Sequence, residues 1–434
     1  MWDFSTEPEF QEKLDWIADF VQREVEPLDL AFDGHLVYDK QHPVHAEVVR
    51  PLQEQVKAQD LWACHLGPDL GGKGYGQLKL GLMNEILGRS SWAPSIFGCQ
   101  APDSGNAEIL AHYGTDEQKA RYLQPLLDGQ IASSFSMTEP QAGSDPKEFR
   151  CRAVQDGDDW VITGEKWFSS NFRYASFAIA MVITDPDVPV YQGASMFLVP
   201  TDTPGIEIIR NVGLMGEGEG EGSHAYVRYH EVRVPGDHLL GGAGQGFVIA
   251  QTRLGGGRIH HAMRTVGMCQ RAFDMMCERA LSRTTQGEVL GRKQMVQEQI
   301  ADSWLQLQQF RLQVLHAAWI LDTEGGASSA GRTAIAGVKV AMADVLHDIV
   351  WRSMHLHGSL GVSNELPLGN MLVGAMALGL ADGPTEVHKV TIARQTLKKY
   401  KPAEGLFPSA HLPDRRAEAR KRFAHLLDLE VGNH

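Results

Sequence analysis

The chain has 434 residues, 43% of them hydrophobic, and a formal net charge of −14. That length exceeds one ordinary core and predicts two or three domains, while the acidic balance argues against nucleic-acid binding, which needs a basic footprint. The longest clearly apolar run, "FAIAMVI" at 177–183, is too short to span a bilayer, so no membrane span is expected.

The N-terminus, "MWDFSTEPEFQEKLDW", is acidic, lacks an apolar h-region and does not read as a signal or transit peptide. The tail "VGNH" matches no targeting signal. Cys64, Cys99, Cys151, Cys269 and Cys277 are scattered and odd in number, with no metal spacing, which predicts reduced structural thiols in a cytoplasm-like compartment.

Residues 1–130 read as mostly helical. Phe10, Leu14, Ile17, Phe20 and Val21 fall on one face of a 3.6-residue period. "LKLGLMNEILGRS" (78–90) and "NAEILAHYG" (106–114) continue the pattern, and "GTDEQKARYLQPLLDG" (114–129) starts with Thr115 as N-cap and stops at Gly129. From about 131 to 235 the chain turns to short alternating runs: "DWVITGEKWF", "ASFAIAMVIT", "ASMFLVP", "IEIIRNV" and "HAYVRYHEVRVP" predict strands of a compact β domain. "GEGEGEG" (216–222) reads as an acidic loop within it. From about 246 helices return. Ile300, Trp304, Leu307, Val314, Ala318 and Leu321, interrupted by Arg311, fall near heptad spacing, as do Ile335, Val338, Met342, Val345 and Ile349. "TEGGASSAG" (323–331) separates these two long helices, as in an antiparallel bundle.

Five stretches could carry chemistry, and each has a plainer alternative. "SFSMTEPQAGSDP" (134–146) offers hydroxyls and a glycine that suit a heterocycle or phosphate, or is a polar connector. "GEKWFSSN" (164–171) can stack on a planar ring, or is a strand packing the β core. "RLGGGRIHHAMR" (253–264) puts three glycines at the opening of a basic helical stretch; adjacent His260 and His261 point apart on a helix, which disfavours a metal pair and leaves Arg258 the better ligand group. "HLHGSLGVSNELPLGN" (355–370) reads as a Gly-rich turn between helices, because nothing completes a metal set around His355 and His357. "LADGPTEVHK" (380–389) ends an apolar approach on Asp382, with Glu386 four residues on; Asp382 is either a reactive carboxylate or the N-cap of the following helix, with Glu386 a first-turn acid.

Taken in order, "SMTEPQAGSD", "GEKWFSSN", "EVRVP", "RLGGGRIHHAMR", "HGSLGV" and "ADGPTEVH" resemble the acyl-CoA dehydrogenase family over nearly the whole chain. "WFSS" and "ADGPTEVH" are most similar to the subgroup of human members ten and eleven and their bacterial relatives. The resemblance implies an α+β fold: an N-terminal helical domain (1–132), a middle β-sandwich or barrel domain (133–240) and a C-terminal four-helix bundle domain (241–434). It implies FAD bound without a covalent link between the β domain and the bundle, an acyl-CoA substrate, a dimer or tetramer, and an electron-transfer flavoprotein as acceptor. It implies the cytoplasm of a bacterium, or a mitochondrion or peroxisome in a eukaryote.

Carried onto this chain, the resemblance puts Phe135, Met137 and Thr138 along the flavin ring and Ser144 near flavin or the CoA end of the substrate. Phe168, Ser169 and Ser170 would cover the dimethylbenzene and N5 side; the family's Trp stands one residue early, at Trp167, so either ring could take that place. Arg283 would reach the pyrophosphate of the FAD in a neighbouring subunit, and His355, Leu356, His357, Gly358 and Ser359 align with the family's turn on the adenosine-diphosphate part of FAD, with His355 and Ser359 departing from the family's Gln and Gly. Arg253 and Arg258 would open the helix flanking the acyl-CoA, with Gly257 and Gly383 as further substrate contacts and Pro384, Thr385 and Glu386 beside FAD. Most family members carry Glu-Gly-Thr where this chain has Asp-Gly-Pro, so Asp382 is the implied α-proton base, one methylene or roughly 1.5 Å shorter, in a field where ~1 Å matters. A flavoprotein oxidase of the same fold, nitroalkane oxidase-like, and a non-catalytic flavin-binding subunit are the alternatives.

Overall fold

A computed structural model of the protein describes residues 4–431; the expectations for "MWD" and for the last three residues of "VGNH" fall outside them. Helices α1 (Pro8–Phe20), α2 (Arg50–Ala58), α3 (Gly76–Leu87) and α4 (Asp103–Tyr113) form the first region. Pro8 starts α1 where a missing N–H costs nothing, and Phe10, Leu14, Ile17 and Phe20 are buried as the periodicity predicts. Thr115 and Gln118 close a reciprocal capping box on the helical run 116–127, confirming that N-cap.

The middle region holds β1 (Ser133–Ser136), β2 (Arg152–Asp156), β3 (Asp159–Ser170), β4 (Phe177–Ile183), β5 (Ala194–Pro200), β6 (Ile206–Val212), β7 (His224–Pro235) and β8 (Leu239–Leu240). The five foreseen strands are present; β1, β2 and the two-residue β8 were not foreseen. The pairing order is β6-β7-β3-β2-β4-β5-β8, with β1 parallel to β4. Between β2 and β4 it passes through a single register pair, Arg152 with Ile183, so the sheet folds there into two leaves. Ala153, Ile162, Val227 and Val232 of one leaf share a buried cluster with Ala178, Ala180, Phe197 and Val199 of the other, which makes the domain a sandwich. The alternate residues Phe177, Ile179, Met181, Met196 and Leu198 pack outward on Ile109, Leu110, Tyr122 and Leu126.

The third region is α5 (Gly246–Ser282), α6 (Gln294–Glu324), α7 (Ser329–His357) and α8 (Leu368–Leu380), with α7 packed on the other three. The first region and the bundle are one core: Phe10, Ile17, Met83 and Leu87 cluster with Met263, Phe310, Val314, Met342 and Ile349. Trp304 departs from the expected heptad face and is 51% exposed, whereas Arg311, the interrupting residue, crosses to Glu85 of α3 at 2.8 and 2.9 Å. Helix α9 (Thr385–Leu397) follows, and from Val390 onward the chain forms a second compact unit that includes α10 (Leu412–Arg422) and α11 (Ala424–Val431). No helix among the described residues is long and apolar enough to cross a membrane, and all five cysteines are free.

One buried ion pair fastens the segment between β1 and β2. Lys166 Nζ of β3 donates to Glu139 Oε1 at 2.8 Å and to the Met137 carbonyl at 2.9 Å, with both charged side chains at most 1% exposed. Glu139 also accepts the N–H groups of Arg150 and Cys151, at 2.6 and 3.0 Å. A buried charge left without its partner costs about 3–5 kcal/mol, so Lys166→Met should lose about that much in urea unfolding, and the double variant Lys166→Met/Glu139→Gln should regain most of it.

Candidate active site

Helix α8 runs an apolar face to Leu380, and the chain then turns sharply. Asp382 has φ +56° and Gly383 φ +98°, two successive left-handed residues before α9 starts at Thr385. Gly383 meets the second at no steric cost; Asp382 holds the first under strain of a kind found at functional sites. The start at Thr385 also places Asp382 outside the N-cap position. Its carboxylate turns to α5 instead, with Oδ2 3.8 Å from His261 Nε2.

The turn is clamped at both ends. The last carbonyls of a helix lack intrahelical partners. Lys339 Nζ, from within α7, donates to Leu378 O at 2.5 Å, and Thr385 Oγ1 donates to Gly379 O at 3.2 Å. Burial lowers the Lys339 pKa to about 8, with Asp382 opposing that shift. The Asp382 carbonyl accepts from Arg258 Nε at 2.9 Å and from His388 Nε2 at 3.3 Å. That contact requires the Nε2–H tautomer, and burial, aided by Arg258, holds His388 neutral with its pKa lowered to about 4.

The glycine triplet 255–257 does not open a helix, which corrects the reading that Arg253 and Arg258 stand at a helix start. It lies inside α5, which begins at Gly246. Two of the three glycines, Gly256 and Gly257, serve close approach, whereas Gly255 faces open space. A Cβ on Gly256 would stand 2.8 Å from Glu108 Oε2 of α4, and one on Gly257 would stand 3.2 Å from Asp382 Oδ2. Two carboxylates therefore rest on a bare strip of helix backbone.

Arg253 closes the other side. It is 8% exposed, donates through Nε to Asn106 Oδ1 at 2.9 Å, and lays its guanidinium over the Phe135 ring at 3.9 Å. Asn106 in turn donates to Ser133 Oγ at 2.9 Å and Ser134 O at 3.1 Å, tying α4 to β1. Burial lowers the Arg253 pKa to about 10 against the pull of Asp382, Glu108 and Asp103. Burial pushes the Glu108 carboxyl up to about 7, with Arg253 drawing it down.

The residues assigned to a flavin divide. Along β1, Ser134 and Ser136 face the sandwich while Phe135 and Met137 face outward, half-buried, with Thr138 next to them. Ser169 is a correction: its hydroxyl bonds Ser136 Oγ at 2.8 Å inside the fully buried core and is not offered to a ring. Phe168 breaks strand alternation, with φ +56° at a register irregularity between Lys166 and Ser169. Its ring stacks on His224 at 4.6 Å, beside the Ser170 hydroxyl, which lies 2.9 Å from His224 Nδ1. Trp167 instead packs against Tyr226 and Arg210.

Ser144 and Arg283 are exposed, on the loop after β1 and directly after α5. His355 in the last turn of α7, and Gly358 and Ser359 just after it, are exposed. Leu356 and His357 are a second correction. Both side chains are buried in the bundle, and His357 Nδ1 donates back to Ser353 O at 2.8 Å, because 353, 356 and 357 share the inner face of α7. Pro384 and Thr385 are half-buried and Glu386 is exposed. Asp382, Gly383, Arg253, Gly257 and Arg258 thus gather around α5, together with Glu108, His261, Lys339 and His388, which sequence reasoning did not assign there. The one legible signal was spacing: Gly257 and His261 are four residues apart, on one face of a helix.

Family models agree with this layout. The N-terminal domain of acyl-CoA dehydrogenases matches residues 7–130, the middle domain 134–227 and the C-terminal domain 244–397. The chain is 38% identical over 400 residues to mouse acyl-CoA dehydrogenase family member 10, covering 90% of this chain and 37% of that protein. It is 39% identical over 399 residues to rat family member 11, covering 89% of this chain and 50% of that one, so it spans about half the length of these mammalian relatives or less. A solved structure of a putative acyl-CoA dehydrogenase from Mycobacterium abscessus is 39% identical, with a TM-score of 0.83 over 92% of this chain and 100% of that one. The chain belongs to the acyl-CoA dehydrogenase family.

Proposed function

We propose that the chain is an FAD-dependent acyl-CoA dehydrogenase that removes hydrogen from Cα and Cβ of a fatty acyl thioester to give the trans-2-enoyl-CoA, with Asp382 as the α-proton base. The observation that supports this most is the Asp382 turn. A carboxylate stands at the end of an apolar helix, in a strained conformation, clamped through its own carbonyl by Arg258 and His388. A base that must take a carbon-bound proton needs such fixed aim. The proton leaves Cα for a carboxylate oxygen of Asp382, and the electron pair stays on the substrate as an enolate. A backbone N–H near the base, with Gly383 as substrate contact, would hold the thioester oxygen. Gly257 and Arg258 would line the acyl-CoA from α5, with Arg253 and Ser144 as further contacts.

The residues fit a flavin on grounds internal to the structure. The bulge in β3 and the positive φ of Phe168 set an aromatic ring beside the Ser170 hydroxyl, and the outer side of β1 leaves Phe135, Met137 and Thr138 half-open. Planar aromatic surface with hydroxyls at its edge suits a heterocycle. FAD bound there supplies the acceptor for the β-hydrogen as hydride. Thr138 and Ser170 would hold its polar edges, while Pro384, Thr385 and Glu386 would border it. Arg283 would serve the pyrophosphate of a neighbouring subunit's cofactor in a dimer or tetramer, and His355, Gly358 and Ser359 the adenosine-diphosphate part of FAD. Domain limits at 1–132, 133–240 and 241–434, and an electron-transfer flavoprotein as acceptor, belong to the same reading.

Asp382→Asn should keep its FAD, read by visible absorbance, and lose acyl-CoA-dependent flavin bleaching under anaerobic conditions by about 10²–10⁴-fold. Turnover at the parent rate would remove Asp382 from the role of base, and bleaching by nitroalkanes alone would assign oxidase chemistry. Glu108 gives a pH signature. Its folded pKa, raised from 4.5 to about 7, means that the folded state holds a proton that the unfolded chain has released. Its stabilising contribution is complete below the unfolded value and is lost as pH rises through 7. Glu108→Gln should therefore melt higher than the parent at pH 8 and level with it near pH 4.5, by calorimetry.

A further inference from the structure

The proposed base has a neighbour that the reaction as written does not use. His261 lies one helical turn beyond Gly257 on the same face of α5, and its Nε2 is 3.8 Å from Asp382 Oδ2. The same oxygen lies over Gly257, where a Cβ would come within 3.2 Å. The carboxylate thus sits in a notch whose floor is a glycine and whose wall is an imidazole. Both side chains are mostly covered, 23% exposed for His261 and 19% for Asp382.

The imidazole is neutral at physiological pH. Burial lowers its pKa to about 4, the charge of Arg264 adds to that, and the Asp382 carboxylate opposes it. A neutral imidazole has one donor and one acceptor nitrogen. Facing a carboxylate, which only accepts, the favoured tautomer carries the proton on Nε2. At 3.8 Å the pair is short of a hydrogen bond, and such contacts commonly tighten once substrate binds.

We propose that His261 is the positioning residue for Asp382: its Nε2–H holds Oδ2, leaves Oδ1 free for the α-proton, and its ring occupies the space that a longer acid would need. This rests on the reading of Asp382 as base. It explains how aspartate serves where most family members carry glutamate. Arg258 and His388 fix the backbone of the turn, and His261 fixes the one remaining freedom, rotation of the short side chain.

The test compares His261→Leu, His261→Gln, Asp382→Asn, Asp382→Glu and His261→Ala/Asp382→Glu in the FAD-loaded full chain. Flavin bleaching by acyl-CoA gives kcat and KM. Exchange of α-hydrogens of a redox-inert acyl-CoA analogue with D2O, followed by NMR, reads proton abstraction without turnover. His261→Leu should lower kcat and α-exchange by about 10²-fold while KM and FAD content stay as in the parent. His261→Gln, which keeps a neutral donor, should recover at least about tenfold of that loss. The double variant should exceed Asp382→Glu alone, because the longer acid gains the vacated space. An inactive Asp382→Asn beside a fully active His261→Leu overturns the positioning role alone, and an active Asp382→Asn overturns the base assignment itself. If His261→Leu fails to fold, a double variant no better than Asp382→Glu overturns the proposal by itself.

Discussion

The site depends on how closely other chain segments can approach one helix. Helix α5 has 37 residues, about 55 Å at 1.5 Å per residue, long enough to pass every region of the first unit. Ile249 and Ala250 pack on the outer leaf of the sandwich, Arg253 reaches α4, and Met263, Val266 and Cys269 enter the core shared by the first helices and the bundle. Its three central glycines each cost about 1 kcal/mol of helix propensity relative to alanine. At Gly256 and Gly257 that cost permits the approach of Glu108 and Asp382 to within contact of the helix backbone. Any side chain at 256 or 257 would push one carboxylate away.

Most of the architecture was legible because apolar side chains repeat with the period of the element that carries them. The buried faces of α1 and α7 and the alternation of β4 and β5 needed nothing beyond that. Strand β1 escaped because its inward residues are serines, which satisfy one another across the sandwich through Ser136, Ser169 and Tyr229 and so carry no hydrophobic signal. Trp304 was misplaced because heptad spacing cannot tell which helix face lacks a partner. The glycine triplet was read as a helix opening because glycine usually marks helix ends; its real partners, Glu108 and Asp382, are remote in sequence. Asp382 was singled out by its neighbours in sequence, but the groups that hold it come from α5, α7 and α9, and no local pattern links them.

Charge around Asp382 is arranged by desolvation more than by pairing. Burial lowers the pKa values of Arg253, Arg258 and Lys339 and raises that of Glu108, each against opposite charges nearby. Groups so placed lose solvation and regain part of it through backbone carbonyls: Arg258 binds the carbonyl of Asp382 and Lys339 that of Leu378. Two cations are thereby directed to the main chain around the proposed base and not to its carboxylate. The neutral imidazole of His261 is the side chain set beside that carboxylate, at 3.8 Å.

The same arrangement bears on the proposal that an aspartate serves as the base. A shorter acid can be placed as well as a longer one if the backbone carrying it moves closer, and the successive positive φ values at Asp382 and Gly383 are a backbone solution of that kind. Pro384 disfavours helical geometry at Gly383 and so keeps α9 from starting before Thr385. Arg258 then draws the Asp382 carbonyl toward α5, where Gly257 leaves room for the carboxylate. Each of these residues would be unremarkable with glutamate at 382. With aspartate as the proposed base, the turn, the clamp and the bare helix strip act on the same short side chain: the turn sets its direction, Arg258 holds its carbonyl and Gly257 leaves room for its carboxylate.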